Sequence, residues 1–171
     1  MSAAIPYLGS VANLAIRSAI VELAVVTHPP TPESRVLALY GLGSFDDPAL
    51  VARTLGLLLD GTVKPHDLRY FFPAIGLRPA TREVVHAWIE AHFDELARSY
   101  PTTMMARFVR TIPALCDGDR VRAADAFLRP RAAKLEGVEK DLRQSVEEGL
   151  RCAALADAGR ADATHRLHRG L

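Results

Sequence analysis

Apolar residues recur along this chain at the spacing of amphipathic helices, and start and stop signals bound each run. Thr31-Pro32 and Asp47-Pro48 offer capping side chains with a proline at the first helical position, and Lys64-Pro65 supplies a proline at a third start. We expect three short helices here, with Pro73 distorting the third. The residues predicted to face inward are Val36, Leu37 and Leu39; Leu50, Val51, Leu55, Leu58 and Leu59; and Leu68, Phe71, Phe72 and Ile75.

The clearest stripe follows Pro79 and predicts one face of one long helix, on which His92 is interpreted as a core or interface residue. Its members are Val84, Val85, Trp88, Ile89, His92, Phe93 and Leu96. Three further helices are predicted, one capped by Thr102, one running from Asp117 to Pro130, and one running from about Gly137 to Ala158. Residues 159–171 are expected to form a frayed tail.

The helix starts at Pro32, Pro65, Thr102 and Gly137 are separated by 33, 37 and 35 residues. Two-helix units of that period are typical of HEAT and armadillo proteins. We therefore predict an all-α single domain over residues 1–171, built as a right-handed superhelix of antiparallel helix pairs. An irregular helical bundle is the alternative, because the pairs have no visible sequence similarity.

The apolar segment Ile5–Val26 carries Arg17 and Glu22 near its middle, and such charges are costly in a bilayer. No basic region precedes it, so it also does not resemble a signal peptide. We expect a buried helix here, and no membrane association.

The chain is 49% hydrophobic and 6% aromatic, with a formal net charge of +1, which disfavours nonspecific nucleic-acid binding. The charge is unevenly distributed in one stretch, Arg98–Lys134, which holds eight cationic and three anionic residues. This stretch predicts either a concave basic surface for a peptide carboxylate or phosphate, or simply solvated arginines on amphipathic helices.

No constellation for catalysis or metal binding is visible. None of the six histidines is followed by Glu, so the HExxH zinc motif is absent, and no phosphate loop or nucleophile elbow occurs. Cys116 and Cys152 lack CxxC spacing, so neither a zinc knuckle nor a disulfide framework is indicated, and a reducing, cytoplasmic location is expected.

Two stretches nevertheless carry a resemblance. The first is Thr31–Asp67, with Asp47-Pro48 starting a helix and Val63–Asp67 opening the next; the second is Arg82–Leu96, a Trp-containing helix that ends in Asp-Glu-Leu. Together they resemble the C-terminal helical domain of M1-family zinc aminopeptidases, over roughly residues 31–158 and most strongly over 31–97.

The resemblance implies a HEAT-like domain that closes over the active site of a separate catalytic domain, where zinc would bind. This chain would hold no cofactor and no catalytic residue. Arg143 and Arg110 would contact the C-terminal part of a peptide substrate. The expected partners are the catalytic domain of the same polypeptide and the peptide. An isolated copy would expose an apolar interdomain face, which favours a homodimer.

The alternative function is a free-standing helical module that binds a protein partner through its concave face. A nucleic-acid binder is disfavoured, because the charge is neutral and aromatic residues are few.

Overall fold

The computed structural model describes the backbone of residues 31–169 and the side chains of residues 31–165. All regular structure in this range is helical, which confirms the predicted all-α class. The superhelical order of helix pairs stays a prediction. None of the described helices is both long enough and apolar enough to cross a membrane. The segment Ile5–Val26 lies outside the described residues, and the remainder forms two compact units divided between Ala74 and Ile75.

The first unit begins with two helices whose capping signals act as predicted. Helix α1 spans Pro32–Leu42, and the Thr31 hydroxyl accepts a hydrogen bond from the Ser34 amide at 3.2 Å. Helix α2 spans Pro48–Gly56, and its N-terminal amides donate to the carboxylate of Asp47. The helix ends one turn before the predicted stop at Asp60-Gly61, and successive turns complete the segment.

A 3₁₀ turn over Pro65–Asp67 leads directly into helix α3, Leu68–Gly76, which contains Pro73. The predicted inward residues of α3 are all buried, but Leu37 on α1 is 70% exposed, so its inward assignment is wrong. Helix α1 is short, and its buried face is formed by Ala38, Leu39 and Leu42 instead. The buried apolar residues of this unit are Ala38, Leu39, Leu42, Phe45, Val51, Leu55, Leu58, Val63, Leu68, Phe71 and Phe72.

The second unit contains four α-helices within the described residues. They are α4 (Arg82–Ser99), α5 (Thr102–Val109), α6 (Gly118–Ala132) and α7 (Val138–Arg169), with a 3₁₀ turn over Ile112–Leu115 between α5 and α6. Helix α7 packs most extensively against α6, the 3₁₀ turn and α5. The first half of α7 is therefore the element that organises this unit.

Helix α4 buries a narrower stripe than the sequence predicts. Val85, Ile89, Phe93 and Leu96 are buried, whereas the His92 side chain is 35% exposed. The buried histidine of this helix is His86, which is 1% exposed. The core interpretation of His92 is therefore wrong, because the buried face of α4 is centred near Ile89, between Val85 and His86 on the helical wheel; the interface interpretation stays a prediction.

Helices α6 and α7 both continue past their predicted ends. Helix α6 passes through Pro130 and ends at Ala132, and α7 runs through Arg169 with no interruption at Ala158. A proline near a helix end removes only one hydrogen bond, and the strong helix formers Ala, Arg and Leu recur after Ala158. Residues 157–165 are exposed, so the expected tail is an exposed extension of α7.

Two glycines shape the start and the packing of α7. Gly137 precedes the helix with a φ of 81°, a conformation that side chains disfavour. Gly149 faces Val121 of α6, and a Cβ at Gly149 would lie 2.9 Å from Val121 Cγ2. The absence of a side chain at Gly149 therefore permits the close approach of α6 and α7.

Candidate functional site

A polar pocket of about 270 Å³ lies where the end of α5 meets α7. Asp141, Ser145 and Glu148 follow one another at positions i, i+4 and i+7, so they share one face of α7. Arg110, the C-cap residue of α5, faces them from the other side. The full lining is Arg110, Asp141, Gln144, Ser145 and Glu148.

Arg110 already has a carboxylate partner within this pocket. Its Nε and Nη2 atoms both donate to Oδ1 of Asp141, at 3.0 and 2.6 Å. The Arg110 side chain is 63% exposed, so solvent screens the pair and its contribution to stability is small. The sequence prediction that Arg110 faces a ligand site is compatible with this position, but the guanidinium charge is balanced by Asp141.

Arg143, the second predicted peptide-binding residue, does not line the pocket. It lies two positions after Asp141, which places it about 200° around the helix from the pocket face. It is exposed, and it takes part in none of the ion pairs among the described residues. The structure therefore does not bring Arg110 and Arg143 together.

Most arginines of the stretch Arg98–Lys134 are paired with carboxylates in the same way. The pairs are Arg110–Asp141, Arg120–Glu83, Arg122–Asp119, Arg129–Asp125 and Arg131–Asp94. Three of the acidic partners lie outside the stretch, so counting charge along the sequence overstates the local positive charge. The second of the two interpretations, solvated arginines on amphipathic helices, fits this arrangement better than a continuous basic surface.

Of the pocket lining, the sequence predicted only Arg110; it missed Asp141, Gln144, Ser145 and Glu148. Ser145 is 3% exposed, and none of the hydrogen bonds among the described residues involves its hydroxyl. Glu148 is exposed and accepts one long hydrogen bond, 3.4 Å from the Gln144 amide nitrogen. The available signal was the i, i+4, i+7 spacing of polar residues on a helix whose other face is apolar.

The pocket face of α7 continues to a disulfide. Cys152, one turn beyond Glu148, is bonded to Cys116, which ends the 3₁₀ turn before α6; their Cα atoms lie 5.0 Å apart. The prediction of no disulfide is wrong, because 36 residues of intervening chain hide a proximity that only the fold creates. The cytoplasmic location stays a prediction. Because the bond ties α7 to the 3₁₀ turn, it holds the pocket-bearing part of α7 in place.

His86 is a second chemically unusual residue of this unit. Both of its ring nitrogens are buried without a hydrogen-bond partner, and Nε2 lies 3.3 Å from Oε1 of Glu90. Burial, together with the smaller effect of the positive charge of Arg120, lowers the pKa of His86 to about 4, and Glu83 partly opposes the shift. His86 is therefore neutral near pH 7.

Among the described residues, no group of three or more histidine, cysteine and acidic side chains is placed to hold a metal ion. Both cysteines are committed to the disulfide, so their thiolates are not available as ligands. The donor set of residues 31–165 therefore does not fit a zinc site.

The described residues form an all-helical structure with a polar pocket, and comparison with known proteins specifies the class as a domain of aminopeptidases. The chain matches the ERAP1-like C-terminal domain family over residues 14–151. It belongs to that family, which confirms the predicted relationship to the C-terminal domain of M1 aminopeptidases. The match begins at residue 14, earlier than the start at 31 taken from sequence.

The individual proteins that the chain resembles are also aminopeptidases. The chain is 38% identical to alanine/arginine aminopeptidase of Saccharomyces cerevisiae over 76 residues, which is 43% of this chain and 9% of the relative. It is 28% identical to probable aminopeptidase 2 of Sulfurisphaera tokodaii over 105 residues, 61% of this chain and 13% of that protein. Aminopeptidase M1-A of Oryza sativa subsp. japonica is 25% identical over 142 residues, covering 82% of this chain and 16% of the relative.

The chain thus spans less than a fifth of the length of each of these relatives. No solved structure matches it.

Proposed function

We propose that this chain acts as the noncatalytic C-terminal domain of a zinc-dependent M1 aminopeptidase. In that role it encloses the peptide chamber and contacts the substrate away from the scissile N-terminal bond. The observation that carries the proposal is the family match over residues 14–151 in a chain with no HExxH motif. Its partners are then the catalytic domain of the same polypeptide, where zinc would bind, and the peptide.

Helix pairs stacked as a HEAT-like superhelix would give such a domain a concave surface facing the chamber. Arg143 supports the proposal, because an exposed guanidinium without a carboxylate partner among the described residues is available to a peptide carboxylate. The pocket at Arg110 supplies a second point of contact, with both donors and acceptors on its walls.

The test compares two kinds of substrate in the full-length enzyme that contains this sequence. A single amino acid linked to a fluorogenic leaving group reports the catalytic site alone, whereas a nonapeptide also reports the enclosing surface. We expect Arg143→Gln to lower kcat/KM for the nonapeptide about fivefold, consistent with loss of one charge-assisted contact, and to leave the short substrate unchanged.

Arg151→Gln is the matched control, because Arg151 is another exposed α7 arginine and pairs only loosely with Glu147, at 4.0 Å. If both substitutions lower kcat/KM for the nonapeptide equally, Arg143 does not contact the substrate. Aminopeptidase activity of the 171-residue chain alone, with added zinc, would overturn the noncatalytic assignment.

A free-standing protein-binding module is the second candidate function. Leu37 and Tyr40 favour it, because they lie one helical turn apart on α1 and are 70% and 54% exposed. The same exposed residues would support the homodimer expected of an isolated copy. Light scattering of the 171-residue chain and of its Leu37→Ser variant tests this: a dimer that the variant lacks supports self-association through α1.

A further inference from the structure

We infer that the pocket between α5 and α7 is a subsite for a basic side chain, the lysine or arginine of a bound peptide; the inference rests on the proposed peptide-binding function. The sequence alone points the other way, because Arg110 lies in a stretch rich in cations. In the structure, by contrast, the pocket presents net negative charge to a ligand.

The first argument is the balance of charge in the pocket. Two carboxylates, those of Asp141 and Glu148, line it together with one guanidinium. Arg110 directs both Nε and Nη2 to Asp141, so its positive charge is neutralised at short range. An incoming carboxylate would have to displace Asp141 from Arg110, whereas an incoming cation meets Glu148 without breaking that pair.

The second argument is the hydroxyl of Ser145, which has no hydrogen-bond partner among the described residues. This residue is 97% buried and lines the pocket. The hydroxyl oxygen keeps a small contact with solvent at the pocket, so a ligand there can replace water as its hydrogen-bond partner. An ammonium or guanidinium group donates hydrogen bonds, and a serine oxygen accepts them.

The third argument is the position of the pocket at the end of a helix. Arg110 is the C-cap of α5, and the carboxyl end of a helix carries partial negative charge. This effect is smaller than that of the carboxylates, but it has the same sign. The acceptors that line the pocket are thus the carboxylates and the hydroxyl of α7, and the terminus of α5 adds partial charge of the same sign.

The experiment measures binding of fluorescein-labelled nonapeptides to the 171-residue chain by fluorescence anisotropy. The peptides are acetylated and amidated at their ends and differ at one central position, which is lysine, norleucine or glutamate. We expect the lysine peptide to bind about tenfold more tightly than the norleucine peptide, as one charge-assisted contact predicts. Glu148→Gln should abolish that preference, and Ser145→Ala should reduce it two- to threefold.

Glu147→Gln is the matched control, since it removes the same charge from the neighbouring, exposed position of α7 that does not line the pocket. It should keep the preference for lysine. Circular dichroism of each variant checks that the helices are intact.

The outcomes separate this inference from the proposed function. Equal binding of all three peptides would overturn the basic subsite and leave peptide binding standing. Preference for the glutamate peptide, lost in Arg110→Gln, would replace it with an anion subsite. Binding of none of the peptides would overturn both the subsite and peptide contact by this domain.

Discussion

The two units of the molecule use charged side chains in opposite ways. In the first unit, Asp67 is almost completely buried and pairs with Arg35, whose side chain is 27% exposed, across 32 residues of chain. In the second unit, the pairs between different helices, such as Arg131–Asp94, are formed by exposed or partly exposed side chains. Within the described residues, the first unit thus contains a long-range ion pair with a buried carboxylate, whereas the pairs between helices of the second unit lie at the surface.

The difference matters because the energetic effect of an ion pair depends on burial. Removing one partner of a buried pair leaves an uncompensated charge, whereas removing one partner of an exposed pair leaves a charge that water can solvate. The exposed pairs of the second unit are thus available for binding partners without loss of the fold. Asp67 is not, because it also accepts a hydrogen bond from the Lys64 amide at the start of the 3₁₀ turn.

The largest expected effect is that of Arg35→Met. Because this change leaves the carboxylate of Asp67 buried without its guanidinium partner, we expect a loss of about 3 to 5 kcal/mol in the free energy of unfolding. The control variant Asp94→Asn breaks an exposed pair and should cost less than about 1 kcal/mol. Urea denaturation followed by circular dichroism measures both, and similar losses would contradict the contrast between the units.

The next largest effect on stability is expected from loss of the Cys116–Cys152 disulfide in the second unit. A disulfide that closes a loop of this size is expected to contribute about 4 kcal/mol, through restriction of the unfolded chain. The double variant Cys116→Ser/Cys152→Ser should lose that amount. Adding a reductant should destabilise the wild-type chain equally and leave the double variant unchanged, and a reductant-independent melting temperature of the wild type would rule out the bond.

A smaller effect is the pH dependence caused by His86. Its folded pKa of about 4 lies below the ordinary value of 6.5, so between these two pH values the unfolded chain binds a proton that the folded chain does not. Stability is therefore fully present above about pH 6.5 and falls as the pH is lowered through this window. A shift of this size corresponds to about 3 kcal/mol.

The pH effect is measured by urea denaturation at pH 7 and pH 4.5 and compared among variants. His86→Leu should flatten the dependence, since leucine does not titrate. His92→Gln should leave it unchanged, because His92 is partly exposed. A His86→Leu chain with the full wild-type dependence would show that other groups cause it.

The sequence predicts those features of this molecule that depend on residues close together in the chain, and misses those that depend on residues far apart. Thr31, Asp47 and Asp117 were identified as caps because capping acts over two or three residues. The partner of Arg110 was not identified, since Asp141 lies 31 residues away and is brought close only by the packing of α5 against α7. The Cys116–Cys152 bond was missed for the same reason.

Errors in burial have a different cause. Leu37 and His92 both fall on apolar stripes, but a stripe defines a face of a helix and not how much of that face is covered. His86 lies at the margin of the α4 stripe and is nevertheless buried among charged neighbours. Periodicity alone therefore could not distinguish the buried histidine from the exposed one.

The Cys116–Cys152 bond also changes the topology of the polypeptide. The chain from Cys116 to Cys152 is a closed covalent ring that contains all of α6 and the first half of α7. A protease that cuts once within this ring, for example in the connection around Glu136, opens it without separating the two fragments. The nicked protein keeps its full mass until the disulfide is reduced, so a break in its backbone does not release the pocket face of α7.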